Sequence, residues 1–402
     1  MNNVKSDFPI LDKKIRDKTI TYLDSAASTQ KPKQVIHSIS EFLENSYENV
    51  HRGMNSLSID ATDLYEKSRD VAKSFINANS TNEIIFTRGA TDSINIIANS
   101  LAEHLNKGDK IVVTELEHHS NYLPWMHLCK KLGLELKIIP ISKEGILSED
   151  EIINNCDDTT KVLSLTHMSN VTGQILDIKK IKQEINKDIY VAVDGCQSIA
   201  HLNIDVKDLN CDFYSFSSHK LYGPSGIGIM FGKEDILNQL NPPTLGGGMI
   251  NEVSSNDFSY AMLPNKFEPG TPSIEAAIGF KAAMEYLNNI NYQDYFSKEK
   301  KLRSTLISAL NDFEEIEIYG SNKNGNATSI VSFNIKNQNF NDIATFLDQY
   351  GIMIRGGHHC CQPFMKKLGI PGSCRVSFGI YNDINDIDHF VDSMKKTLKL
   401  LQ

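Results

Sequence analysis

The sequence has no apolar run long enough to cross a bilayer, so no membrane-spanning helix is expected. It has no basic excess: 41 Lys and Arg stand against 50 Asp and Glu, a net charge of −9, which leaves no electrostatic footprint for nucleic acid. Its seven cysteines are odd in number, scattered and without a Cys-x-x-Cys pair. That argues against a disulfide framework or structural zinc, and for a reducing compartment: the cytoplasm, or an organelle matrix if a transit peptide has been removed. The opening Met1-Asn2-Asn3-Val4-Lys5-Ser6-Asp7 lacks the apolar centre of a secretory signal, so none is expected. There is no internal repeat, low-complexity tract or long charge run. What remains is ordinary globular composition, 40% hydrophobic and 23% charged, and a length that predicts two domains.

The most informative stretch is Ser217-Ser218-His219-Lys220-Leu221-Tyr222-Gly223-Pro224. The run before it, Cys211 to Phe216, reads as a short buried strand rich in aromatics. The strand therefore delivers a lysine into a Gly-rich turn. Such an amine can form a Schiff base with an aldehyde, as in pyridoxal 5′-phosphate (PLP). A second strand, Ile189 to Asp194, ends in an acid. A PLP site needs a carboxylate against the pyridine nitrogen, and Gln197, three residues on, is placed to bond the phenolic oxygen. Asp194 also has the ordinary reading of a helix N-cap.

Other strand ends carry further candidates. After the strand Glu83 to Thr87, Gly89-Ala90-Thr91 opens an amphipathic helix, and a helix N-terminus with a hydroxyl is a phosphate cradle. Asp109 to Thr114 ends at Glu117-His118-His119-Ser120-Asn121, where a histidine can stack on a flat ring. Lys161 to Thr166 ends at His167-Met168-Ser169-Asn170. The alternation of strands and helices predicts a mainly parallel sheet, with its chemistry at the strands' carboxyl ends. Residues 1–20 suggest one short helix, and residues 251–266 an irregular excursion. Helices are expected near 275–288, 295–312, 341–350 and 385–401, around a smaller α+β domain. That domain holds Ile354-Arg355-Gly356-Gly357-His358-His359-Cys360-Cys361. Neighbours on an extended loop diverge, so this run does not read as a metal site. A thiol on a polar, Gly-rich loop beside histidine and arginine reads as a nucleophile. On the strand from Cys374 to Phe378, Arg375 is suited to bidentate capture of a carboxylate.

The set Ser-Ser-His-Lys-Leu-Tyr-Gly-Pro, Val-Asp-Gly-Cys-Gln, Glu-His-His-Ser-Asn and Arg-Gly-Gly-His-His-Cys resembles the group II (Suf-type) cysteine desulfurases and selenocysteine lyases, class V aminotransferase-like PLP enzymes. The resemblance runs from Tyr22 to the C-terminal helix. It implies fold type I: a large PLP-binding domain over residues 23–289 with a mainly parallel seven-stranded sheet, and a small domain built from residues 1–22 and 290–402. It implies Lys220 as the Schiff-base lysine, Asp194 as the pyridinium partner, Gln197 at the phenolic oxygen and His118 on the ring. Thr91, Ser217 and His219 would hold the phosphate, with Thr271 reaching it from the other subunit of a homodimer. Asn170, Arg355 and Arg375 would meet the substrate, L-cysteine or selenocysteine. Cys360 would carry a persulfide, passed to a Suf-type acceptor protein for iron–sulfur cluster assembly. No metal is implied. Two positions depart from the family: Asn55 replaces a histidine, and Cys361 follows Cys360 where a small non-thiol residue is expected. The residues alone also leave open a PLP enzyme for another amino acid, or a catalytically silent scaffold that binds a sulfur carrier.

Overall fold

The computed structural model describes residues 4–320 and 326–401. Its central sheet has seven strands: β1 (Ile84–Thr87), β2 (Lys110–Thr114), β3 (Glu135–Ile139), β4 (Thr160–Thr166), β5 (Tyr190–Asp194), β6 (Phe213–Ser217) and β7 (Gly228–Gly232). Their order is β1-β7-β6-β5-β4-β2-β3. All pairings from β6 through β3 are parallel. Only β7 runs against its neighbours, β6 and β1. Every residue of β1, β2, β6 and β7 is buried, as in a sheet covered on both faces. This is the expected fold class, and six strand ends point to one edge.

Helices α1 (Lys33–Asn45), α2 (Ser56–Phe75), α3 (Ala90–Leu101), α4 (His119–Leu132) and α5 (Ile274–Asn288) belong to this large unit. The sequence reading did not find α2 or α4. The buried face of α2 includes Ser58, Ala61, Tyr65, Ser68, Ala72 and Phe75. These stand at helical spacing, but four of the six are serine or alanine, so the hydrophobic stripe is faint. They suit close packing on the Ala-rich α5. Helix α4 carries Pro124 inside it, a residue that argues against a helix in sequence.

The smaller sheet has strands β8 (Ile316–Tyr319), β9 (Ile330–Ile335), β10 (Arg355–Gly357) and β11 (Ser373–Ser377), in the order β8-β9-β11-β10 and antiparallel throughout. Helices Tyr292–Asn311, Phe340–Asp348 and Ile384–Leu401 accompany it, and Leu306, Phe333, Val376 and Phe390 centre its core. The segment Thr21–Tyr22 pairs with Ile352–Met353, and Leu23 joins that small core, while Phe8, Leu11 and Ile20 join the large one.

Two expectations are corrected here. Residues 4–20 form two 3-10 turns, Val4–Asp7 and Pro9–Asp12, and a short hairpin, rather than one helix. Buried Phe8 and Leu11 pin these turns. Residues 251–266 are not irregular throughout: Ile250–Val253 pairs with Phe258–Tyr260. Among the described residues no helix is long and apolar enough to cross a membrane.

Candidate active site

A cavity of about 350 Å³ lies where the carboxyl ends of the large sheet meet β10 and β11. Ten of the twelve expected site residues border it. Thr91, His118, Asn170, Asp194, Ser217, His219 and Lys220 come from the large unit; Arg355, Cys360 and Arg375 come from the small one. A larger cavity of about 980 Å³ beside Tyr286 and Lys298 gathers none of these residues.

At one end is the N-terminus of α3. Gly89 precedes it with φ +144°, a conformation that favours glycine. Gly228 lies alongside, where a Cβ would stand 2.6 Å from the Gly89 Cα, so β7 needs a glycine there. The Ala90 N–H donates to Ser217 Oγ at 2.8 Å. Thr91 Oγ1 and Ser120 Oγ share a hydrogen bond of 2.7 Å. Three hydroxyls and the positive end of a twelve-residue helix thus converge on one spot. His219 stands beside them; burial, then Lys220, lowers its pKa to about 4.

In the middle, Lys220 ends the short 3-10 turn that follows β6. Asp194 ends β5, and one of its oxygens accepts the Cys196 N–H at 2.9 Å. His118 caps α4: its Nδ1 accepts the Ser120 N–H at 3.1 Å. Burial, reinforced by Lys220, lowers the His118 pKa to about 3. The ring is therefore neutral at physiological pH, with its proton on Nε2. Gln197 does not border the cavity; it is buried and donates to the Ala26 carbonyl at 2.9 Å, behind the wall that Ala26 forms.

At the far end, Arg375 is 2% exposed. Its Nη1 donates to the Asn170 carbonyl at 3.0 Å and its Nη2 to Asp24 Oδ1 at 2.9 Å. Its Nε is buried without a partner. Arg355 pairs across the strands with Arg375, and its Nη1 lies 4.0 Å from Asp24 Oδ2. Asp24 thus serves two arginines, a role the sequence reading missed; the only signal was an acid ahead of the small residues Ser25-Ala26-Ala27. Each Nη atom of Arg375 already makes one hydrogen bond, so a carboxylate that binds there shares the guanidinium with the charge of Asp24. Asn170 is engaged too: its Nδ2 donates to the His359 carbonyl at 2.7 Å.

The cysteine loop is not extended. His359 and Cys360 have φ +52° and +54°, in the left-handed region. The two thiols diverge because of this turn. Cys360 borders the cavity. Cys361 is fully buried, with Sγ 3.7 Å from the Glu115 carbonyl, and burial pushes its pKa far up. Asn55 has a structural use: its Oδ1 accepts the Ser58 N–H at 2.9 Å and caps α2. Thr271 lies apart, exposed, in a cavity shared with Arg88 and Thr244.

The donor set fits pyridoxal 5′-phosphate: an amine, a strand-end carboxylate, a neutral histidine, a helix N-terminus and an unpartnered guanidinium nitrogen in one cavity. Among the described residues no group of three or more His, Cys, Asp or Glu is placed to hold a metal ion.

The class-V aminotransferase family model matches residues 21–390. The chain belongs to that family. It is 42% identical over 399 residues to a probable cysteine desulfurase of Staphylococcus aureus (strain N315), covering 99% of this chain and 96% of the relative. Among solved structures, the apo cysteine desulfurase from Thermococcus onnurineus NA1 superposes with a TM-score of 0.94 at 35% identity, over 98% of this chain and 97% of that one. The Escherichia coli cysteine desulfurase CsdA, in an S-sulfonic acid form, superposes with a TM-score of 0.90 at 33% identity, over 98% of each chain.

Proposed function

We propose that this class-V aminotransferase family member is a PLP-dependent cysteine desulfurase of group II, Suf type. It converts L-cysteine to L-alanine and leaves the sulfur as a persulfide on Cys360. The observation that carries this is the placement of Cys360 and Lys220 on one cavity, with the other thiol of the loop turned into the core. An enzyme for another amino acid would have no use for that thiol.

Bound PLP supplies the electron sink that labilises the substrate's α-proton and its carbon–sulfur bond. Lys220 Nζ takes and returns the proton at the substrate α-carbon. Arg375 and Arg355 orient the substrate carboxylate. The Cys360 Sγ, as thiolate, attacks the substrate sulfur. A sulfur–sulfur bond forms as the Cβ–S bond breaks, and the electron pair left on carbon takes a proton to give alanine.

The finer assignments belong to the same proposal. The enzyme works as a homodimer, and selenocysteine fits the same cavity. A Suf-type acceptor takes the sulfur for iron–sulfur cluster assembly. Seven free cysteines, one of them a nucleophile, suit a reducing cytoplasm or organelle matrix.

The test is single turnover of the holoenzyme with L-cysteine. Alanine should equal enzyme in amount, and peptide mass mapping should find one extra sulfur on Cys360. Lys220→Ala should lose the borohydride-reducible adduct. A labelled adduct on another lysine, or cysteine consumed without alanine, overturns the proposal.

A further inference from the structure

The turn that presents Cys360 is strained, and one side chain outside the cavity is placed to hold it. A left-handed φ at a residue with a side chain persists only where the surroundings over-determine it, and here two successive residues adopt it. The loop supplies part of the restraint. The Cys360 N–H donates to His358 Nδ1 at 3.0 Å, and the Cys361 N–H to the His358 carbonyl at 2.9 Å.

The rest comes from across the seam between the units. The His119 N–H donates to the Cys360 carbonyl at 2.7 Å. The His119 Nε2 accepts the Gln362 N–H at 3.3 Å. The His119 ring lies 5.6 Å from that of His358, centroid to centroid. His119 therefore holds the chain at two points just past the reactive side chain: the carbonyl of Cys360 and the amide of Gln362. It does so from the first turn of α4, next to His118, which borders the cavity while His119 does not.

We infer that His119 is a positioning residue for the sulfur-transfer step, locking the left-handed turn that aims Cys360 into the cavity. The inference rests on the reading that Cys360 accepts the sulfur. His119 touches neither substrate nor cofactor and acts through the loop alone. Its ring nitrogen must stay an acceptor, which places the ring proton on Nδ1.

The test compares holoenzyme with His119→Ala and His119→Gln. The side chain is half-buried, so neither substitution opens the core. His119→Ala should speed deuterium exchange at the Gln362 amide and lower kcat for alanine formation, each about fivefold, the factor carried by one hydrogen bond of ordinary strength. The KM for cysteine should stay within about twofold, since the carboxylate-binding arginines are untouched. Exchange of the α-hydrogen of L-alanine, which needs Lys220 and PLP but not Cys360, should be unchanged. Gln, whose side-chain oxygen replaces Nε2 as acceptor, should restore both amide protection and kcat. Wild-type protection and kcat in the Ala variant, or no recovery with Gln, overturns the inference. If the unmodified enzyme forms no alanine from cysteine, the functional reading fails, while the amide exchange still decides whether His119 holds the turn.

Discussion

Asp24 and Arg375 form an ion pair of 2.9 Å at the end of the cavity that we propose takes the substrate carboxylate. Asp24 is thus a built-in carboxylate that occupies the binding arginine beforehand. Burial raises its pKa, the two arginines lower it, and burial prevails. The pair neutralises the buried guanidinium, and in the proposed reaction the Asp24 charge would oppose the arriving carboxylate.

Asp24→Asn should therefore lower the KM for cysteine about fivefold, since one competing charge-assisted bond weakens. It should also cost about 3 kcal/mol of stability, because buried Arg375 loses its counter-charge. Steady-state kinetics and thermal unfolding of the same preparation check both. A raised KM would mean that Asp24 only orients the guanidinium.

The two loop thiols should differ sharply in reactivity. Iodoacetamide should modify Cys360 and leave Cys361 untouched, because Cys361 is sealed in the core. Cys360→Ala should retain PLP and lose sulfur release. Cys361→Ala should keep most of the activity and lose about 1–2 kcal/mol of stability, the usual result of emptying a small buried volume. An extra sulfur mapped to Cys361 after one turnover would reverse the assignment.

The sequence showed the chemistry of this site better than its geometry. Lys220, Asp194 and Thr91 were legible because each ends a strand or opens a helix, and an alternating sheet brings such ends together. Asp24 was not, because its partners lie about 350 residues away on β10 and β11. His119 was visible in its motif, but its use depends on a turn whose left-handed backbone no residue type announces. Helix α2 was missed because serine and alanine fill its inner face.

Stability should peak near pH 6.5. On the acid side, burial holds His167 at a pKa of about 4 and His359 at about 2. Unfolding lets each take a proton below its ordinary pKa of about 6.5, so stability falls as pH drops from there, by about 1.4 kcal/mol per pH unit for each histidine. On the alkaline side, burial raises Glu117 to about 8. The folded state keeps a proton that the unfolded state has released, so stability falls from pH 6.5 to 8 by about 1.4 kcal/mol per unit. Between 4.5 and 6.5 the Glu117 slope opposes the histidines but is outweighed. Glu117→Gln should flatten the alkaline limb and leave the acid limb. Urea unfolding across this range measures it, and an unchanged alkaline limb would show Glu117 ionised in the fold.

Thr271 tests whether the site is completed by a second copy of the chain. It lies in a separate cavity of its own chain, while nearby Leu245, Val253 and Met262 are 57%, 63% and 82% exposed. Apolar side chains this exposed along one segment suit burial against a partner. Sedimentation should give twice the 45.1 kDa chain mass. A mixed dimer then decides the arrangement. One chain carries Lys220→Ala; the other carries Thr271→Ala. If Thr271 serves the opposite subunit, one site combines an intact Lys220 with an intact Thr271, and the mixed dimer keeps about half the activity, as one of two independent sites would. If Thr271 serves its own chain, neither site is whole, and the mixed dimer does no better than half of a Thr271→Ala homodimer. A Thr271→Ala homodimer with wild-type activity, or a fully active monomer, removes Thr271 from the site.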